Sequence, residues 1–212
     1  EMCIRDSDNL DDFEASLSAL DSDNVGIVGK YPGALGNSLK VETFAANDAG
    51  STSDFASWPF QNNFDAAPGT SATATADGAS HDEVHDAIVD EDGAFTGTKG
   101  SVLEVFPFLS VAENAKNTDG TTNYIKDVIN NRSGYVWIAD ITQLGLGTAA
   151  GTATGANKNY GTGRAAQRVQ TSLNDGDDGA ALTTANVATG FDRFEDPDII
   201  CLLYTSDAAD DW

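Results

Sequence analysis

Apolar residues along this chain switch between strand-like runs and a helical spacing. Residues 83–90 (EVHDAIVD) end in an apolar pair and predict a strand, and residues 102–109 are rich in β-branched, aromatic and apolar side chains, as a strand is. Between them, Asp90-Glu91-Asp92-Gly93 predicts a turn, with acidic side chains that bond nearby backbone and a glycine free to take positive φ. Tyr124, Ile125, Val128 and Ile129 fall at i, i+1, i+4 and i+5, the spacing of a single apolar stripe on a helix. Asn130-Asn131-Arg132-Ser133-Gly134 closes that helix, with Gly134 as the expected cap residue, and Tyr135-Val136-Trp137-Ile138 predicts a buried strand. Strand, turn, strand, helix, strand is the order of an α+β or mixed α/β domain, with mixed sheets and short flanking helices.

The flanking stretches extend this pattern. Leu10, Phe13, Leu17 and Leu20 recur at three- and four-residue intervals, which predicts an amphipathic helix over residues 9–20, capped by Asn9 and with acids in its first turn. Residues 25–30 predict a short strand, residues 31–38 a turn-rich link, and residues 39–44 alternate as a half-buried strand. Residues 47–80, rich in Ser, Thr, Ala, Gly and Asp, predict a long surface loop anchored by Trp58-Pro59-Phe60 and Phe64. Those aromatics read as ordinary loop packing, with an adhesive patch as the functional alternative. Residues 143–163 are Gly/Ala/Thr-rich and predict a second flexible excursion. A strand within 164–173, a turn at 175–179, a short helix over 183–191 and a strand entering at 196–200 complete the expectation.

Both ends resemble translated sequencing-adapter DNA. Glu1-Met2-Cys3-Ile4-Arg5-Asp6-Ser7 matches one strand of a transposon end used in library preparation. Cys201-Leu202-Leu203-Tyr204-Thr205-Ser206 matches its complement, and Asp207-Ala208-Ala209-Asp210 the adapter continuation. The expected organisation is therefore a scar at 1–7, a protein segment at 8–200 with loops at 47–80 and 143–163, and a scar at 201–212. Both cysteines and the single methionine fall in the scars, so disulfide and thiolate-metal readings disappear.

The formal net charge is −23 over 212 residues. Such a chain lacks the lysines and arginines that displace counterions from nucleic acid, and its surface is self-repelling and well solvated. No run is apolar enough to cross a bilayer. His81-Asp82-Glu83-Val84-His85 has two histidines four apart, but its glutamate is misplaced for a zinc-protease helix, and the segment runs into a strand. The Asp90–Gly93 and 175–179 acidic runs lack the ligand spacing and terminal glutamate of a calcium loop. Asn131-Arg132-Ser133 fits a glycosylation pattern without a secretory context, and Gly29-Lys30 has no phosphate-loop spacing behind it. The expectation is a non-enzyme with no catalytic, cofactor-binding or metal residues and no cofactor.

Three segments carry a resemblance. The first is Lys30-Tyr31-Pro32-Gly33-Ala34-Leu35-Gly36-Asn37-Ser38-Leu39-Lys40-Val41. The second runs from Asp90-Glu91-Asp92-Gly93 through Gly97-Thr98-Lys99-Gly100-Ser101-Val102-Leu103-Glu104 and Phe108-Leu109-Ser110 to Asn123-Tyr124-Ile125-Lys126-Asp127-Val128-Ile129-Asn130. The third is Ser172-Leu173-Asn174-Asp175-Gly176-Asp177-Asp178-Gly179 followed by Gly190-Phe191-Asp192-Arg193-Phe194. In order and together they resemble the middle region of the contractile tail sheath proteins of T4-like bacteriophages. Asn174-Asp175 stands where that family usually has small residues.

The resemblance implies a truncated sheath middle domain, with an α/β core likened to subtilisin but without its catalytic triad. It implies a structural subunit that stacks in rings around a tail tube and contracts to drive the tube through the host envelope. The implied partners are other copies of itself, the tail tube protein, and baseplate and tail terminator proteins, with no nucleic acid or membrane. The implied location is the virion tail, assembled in the host bacterial cytoplasm. A virion-surface or secreted glycan-binding adhesin is the alternative, and a carboxylate-based hydrolase a further rival.

Overall fold

In chain order the elements are α1 (Leu10–Ser22), β1 (Ile27–Gly29), β2 (Leu39–Ala45), α2 (Thr52–Ala56), α3 (Ala72–Ala76), β3 (Glu83–Asp90), β4 (Ser101–Ser110), α4 (Ile125–Arg132), β5 (Val136–Ile138) and β6 (Arg168–Ser172). The computed structural model describes residues 10–22, 25–46, 52–146, 158–162, 167–179, 181, 183–185 and 187. The chain divides into two units, residues 1–178 and 179–212. In the second, the Val187 N–H donates to the Thr183 carbonyl at 3.1 Å, one helical turn of the expected 183–191 helix. The expected adapter-derived ends, Asn9 as a cap, the expected 196–200 strand and the Gly190–Phe194 motif lie outside the described residues.

The fold is α+β. Four strands form one sheet in the order β4-β3-β2-β6, and β1 pairs with β5 in a second. Neighbouring strands run antiparallel throughout. Parallel pairing among the described residues is confined to isolated bridges, Ser80 with Asn159 and Ser110 with Tyr124. Residues 83–90 form β3 with the predicted limits.

Predicted as half-buried, β2 is buried on both faces apart from Lys40. The reason is topological. It lies in the middle of the sheet, and both sheet faces are covered. One face carries Leu39, Val41, Ala45, Val84 and Ile88 into the main core, where Ile125, Val128 and Ile129 of α4 meet them. The other face carries Phe44, Ala87 and Val89 against Trp58 and Phe64.

The second cover corrects the surface-loop expectation for residues 47–80. Residues 47–51 are outside the described set, and the rest folds as α2, a 3₁₀ turn at Gln61–Asn63, and α3. Ser71 caps α3 by accepting from the Ala74 N–H at 3.1 Å. Trp58 is only 1 % exposed and stacks on Phe64 with centroids 5.2 Å apart. Trp58 and Phe64 anchor the segment by ordinary packing, as expected. Burying an indole of this size contributes roughly 4 kcal/mol as an upper bound.

The second excursion is also partly structural. A 3₁₀ turn occupies Ile141–Leu144, Leu144 and Leu146 are buried, and Tyr160 is buried beside the Ser80–Asn159 bridge. Residues 147–157 and 163 are not described.

The small sheet sits between two apolar layers. Ile27 and Ile138 face the main core, while Val28 and Trp137 face α1, where Phe13 stacks on Trp137 at 5.1 Å. Phe13 and Leu20 are buried and Leu17 is partly so, the stripe that the sequence spacing predicts. Helix α4 likewise buries its predicted stripe. It ends at Ser133 in extended conformation (φ −67°, ψ 135°), so Gly134 is not a left-handed cap. Instead the Glu104 carboxylate accepts from the Ser133 hydroxyl at 2.7 Å and the Gly134 N–H at 2.8 Å, tying the helix end to β4.

Strand β4 is an edge strand with two irregularities. Leu103 is an extra residue between the Ile88–Glu104 and Val89–Val102 pairs. Farther along, Pro107 and Phe108 together oppose His85. Pro107 has no N–H to donate, and Phe108 takes a φ of 52°. Proline inside a strand sequence belongs at an edge or a bulge, and here it is at both.

Candidate functional site

The densest polar structure lies where three connecting segments meet at one end of the four-stranded sheet. They are residues 30–38, 90–100 and 174–178. The Ser38 hydroxyl donates to Asp90 Oδ1 at 2.7 Å and accepts from the Asp92 and Ala94 N–H groups at 3.1 and 3.2 Å. Asp90 Oδ1 also accepts from the Gly93 N–H, and its Oδ2 accepts from the Phe95 N–H, the Thr96 N–H and the Thr96 hydroxyl, at 2.8 to 3.1 Å. Burial by itself would raise the Asp90 carboxyl, but the Ser38 and Thr96 hydroxyls and the backbone donors outweigh it and hold the group at about 2.

Asn37 faces the other way. Its Oδ1 accepts from the Gly176 N–H at 2.7 Å and its Nδ2 donates to the Gly176 carbonyl at 2.9 Å, closing both ends of the amide on one residue. The Ala34 N–H donates to Asp178 Oδ1 at 2.7 Å. This contact requires glycine on both sides. Gly33 sits at φ 83° where a Cβ would strike Asp178, and a Cβ on Gly176 would overlap the Gly33 carbonyl oxygen. Tyr31, Phe95 and Tyr135 fill the space beneath, with centroids 4.9 to 5.8 Å apart. Lys30 reaches the end of α4, donating to the Ser133 carbonyl at 2.6 Å and the Asn130 carbonyl at 3.3 Å. Burial lowers its pKa, against an opposing pull from Glu104.

A second polar group lies inside the sheet. Glu42 is fully buried, yet its carboxylate accepts from Arg168 Nε and Nη2 at 3.0 and 3.1 Å, from Gln170, and from the Trp58 indole at 3.4 Å; Lys40 stands 3.3 Å away. Burial pushes its pKa up, and the Arg168 and Gln170 bonds reverse that to a net lowering. Beside it, a cleft of about 240 Å³ is lined by Phe44, Asp54, Ser57, Trp58, Gln167 and Arg168. Its one hydroxyl, Ser57, donates to the Asp54 carbonyl at 2.8 Å, a turn bond with no base behind it.

The histidines of the 81–85 tract separate. His81 precedes β3 in a bend at φ 59°, while His85 is buried within the strand. Both ring nitrogens of His85 are engaged, Nε2 with the Ala66 carbonyl at 2.7 Å and Nδ1 with the Phe108 N–H at 2.9 Å. Among the described residues, no group of three or more His, Asp, Glu or Cys side chains is placed to hold a metal ion.

The chemistry available to this arrangement is that of anchoring. Asp90, Glu42, Asn37 and His85 spend their lone pairs and protons on the protein itself, so each fixes a turn, strand or cover. Sequence reading found the Asp90 turn and expected another at 175–179, where the backbone is irregular with Asp175 and Gly179 at positive φ, but it did not find the ties to Ser38 and Asn37. It also missed Glu42. A usable signal was there: Lys40 and Glu42 alternate on one strand, Arg168 and Gln170 on another, each pair spaced to share a face. Neither a protein-family model nor a curated protein matches the sequence.

Proposed function

We propose that this chain is a fragment of a structural subunit of a contractile phage tail sheath, one that polymerises around the tail tube and contracts to drive it through the host envelope. The observation that carries the reading joins the resemblance to the geometry. The three resembling segments are remote in sequence, yet Asn37 and Ser38 of the first reach the third and the second directly, at 2.7 Å each. Asn37, Ser38, Asp90 and Gly176, which belong to the resembling segments, tie them to one another. A shared framework, rather than a shared reaction, is what such a pattern preserves.

On this reading the work is mechanical. Subunits exchange one set of contacts for another, and the energy is the difference between two packings of a body that stays rigid. A turn locked by the ionised, fully bonded Asp90 carboxylate suits a body that must transmit force without yielding.

The test is recovery of the flanking DNA. A reading frame that continues into a sheath C-terminal domain, with a tail-tube gene adjacent, is the expected result. A solitary secreted protein with a signal peptide and glycan-array binding by the expressed segment would overturn the proposal in favour of an adhesin.

A further inference from the structure

Strand β3 places two titratable residues next to each other in sequence and on opposite faces of the sheet. His85 lies under the cover, its ring stacked on Phe64 at 4.4 Å and edge-on to Phe108 at 4.5 Å. Its Nδ1 accepts the N–H of Phe108, a residue in left-handed conformation at the β4 bulge. Only a ring without a proton on Nδ1 can accept that bond, so the contacts select neutral imidazole with the proton on Nε2. An imidazolium would present N–H against N–H and leave the bulge amide without an acceptor.

Asp86 lies on the core face, 1 % exposed. Its Oδ1 takes the Thr43 hydroxyl, while Oδ2 has no hydrogen-bond partner among the described residues. A carboxylate with one donor, set among Val84, Ile88 and Phe106, is far less well solvated than the neutral acid.

The surrounding charges are engaged elsewhere. Around His85, Glu83 accepts from the Gly69 N–H, Glu42 is held by Arg168, and Asp54 and Asp65 of the cover are exposed. Around Asp86, Asp82 is held by Ser71 and Ser110, Asp90 by its turn, and Glu104 by Ser133 and Gly134, while Arg132 of α4 lies over the Phe106 ring at 6.0 Å.

We propose that His85 and Asp86 are opposed proton latches on β3, one holding the cover and edge strand, the other the β2–β3 core, each closed only in its neutral form. Acid opens the first by placing a proton on Nδ1 and releasing the Phe108 amide. Alkali opens the second by removing the Asp86 proton and leaving a buried anion with one donor.

The two latches also compensate. Burial lowers the His85 pKa below 6.5, and burial raises Asp86 from 3.8 to about 7 against the weaker Thr43 bond. Between the lowered His85 pKa and 6.5, the unfolded chain holds its proton mainly on His85 and the folded protein mainly on Asp86. The two groups therefore offset each other in part, and the pair gives a smaller slope in stability than Asp86 alone would. Above 6.5 the folded state alone holds a proton, and stability falls as pH rises through about 7.

Side-chain NMR on the intact chain tests this directly. The expected result is a His85 ring protonated on Nε2 that titrates below 6.5, and an Asp86 carboxyl carbon that titrates near 7. Amide exchange should lose protection first at Phe108 on acidification and first in β2 and β3 on alkalinisation. A His85 ring titrating at or above 6.5, or an Asp86 carboxyl titrating in the ordinary carboxylate range, overturns the proposal.

Unfolding of two variants adds a second reading, taken relative to wild type just below pH 6.5. Asp86→Asn leaves His85 alone, and the folding constant should rise with pH, by up to about tenfold per unit. His85→Gln leaves Asp86 alone and should show a fall of about tenfold per unit. Slopes unchanged from wild type in both variants overturn the compensation. If a variant does not fold, the wild-type titrations decide by themselves.

Discussion

Asp90 and Asp86 sit on the same strand, four residues apart, and are 0 % and 1 % exposed. Surface exposure does not separate them; depth in the sheet and the supply of donors together set one at about 2 and the other at about 7. Asp86 lies deep in the sheet and Asp90 at its rim, and the rim also brings the donors. Asp90 closes the strand at a turn, where backbone N–H groups released from the ladder converge on it with the Ser38 and Thr96 hydroxyls. Asp86 sits mid-strand, where only the Thr43 hydroxyl donates to it. A strand end supplies solvation for an anion; a strand middle does not. Glu42 supports the rule from the other direction, being mid-strand yet ionised because Arg168, Gln170, Trp58 and Lys40 bring the donors as side chains.

The largest expected effect comes from removing the well-solvated acid. Asp90→Ala should destabilise the fold by about 3 kcal/mol in denaturant unfolding, since the turn donors and Ser38 lose their common acceptor. Its pH signature is specific. The Asp90 pKa is depressed in the folded state, so its contribution is present above 3.8 and is lost as pH falls toward about 2, and Asp90→Asn should remove that acid limb. Next in size, Arg168→Ala should cost about 2 kcal/mol, because Glu42 keeps its other donors but loses the paired guanidinium. It should also shift the Glu42 carboxyl carbon titration upward.

Smaller still, Thr43→Val should cost about 1 kcal/mol below neutral pH. The loss should grow above about 7, where Asp86 ionises and would have no donor. Equal losses at both pH values would show that the hydroxyl is not what steadies the carboxyl.

The strands and helices were legible because their signals are local. The 83–90 run gave β3 to the residue, and the i, i+1, i+4, i+5 stripe gave the buried face of α4. Phe106-Pro107-Phe108 already carried the edge bulge, though only the pairing with His85 reveals it. What could not be read was set by contacts across long stretches of chain. Whether residues 39–45 are half-buried depends on how many strands flank them, and on the cover that residues 52–66 supply. A Ser/Thr/Ala/Gly-rich composition suggested an exposed loop, but Trp58 and Phe64 outweighed it, since a few aromatics can fix a segment whose other residues are indifferent. Ser38 and Asn37 looked like turn formers; their partners lie more than fifty and more than a hundred positions away.

The broken ladder of β4 has a consequence for how the molecule behaves in company. Its outer rim offers a stranger's backbone a sequence of donors and acceptors that twice slips out of step and once lacks a hydrogen altogether. Copies crowded together along that flank cannot zip into an endless ribbon, even though the strand spans ten residues and shows Val102 and Val105 to solvent. The protein can be held at high local density without that side turning into a seed for fibres.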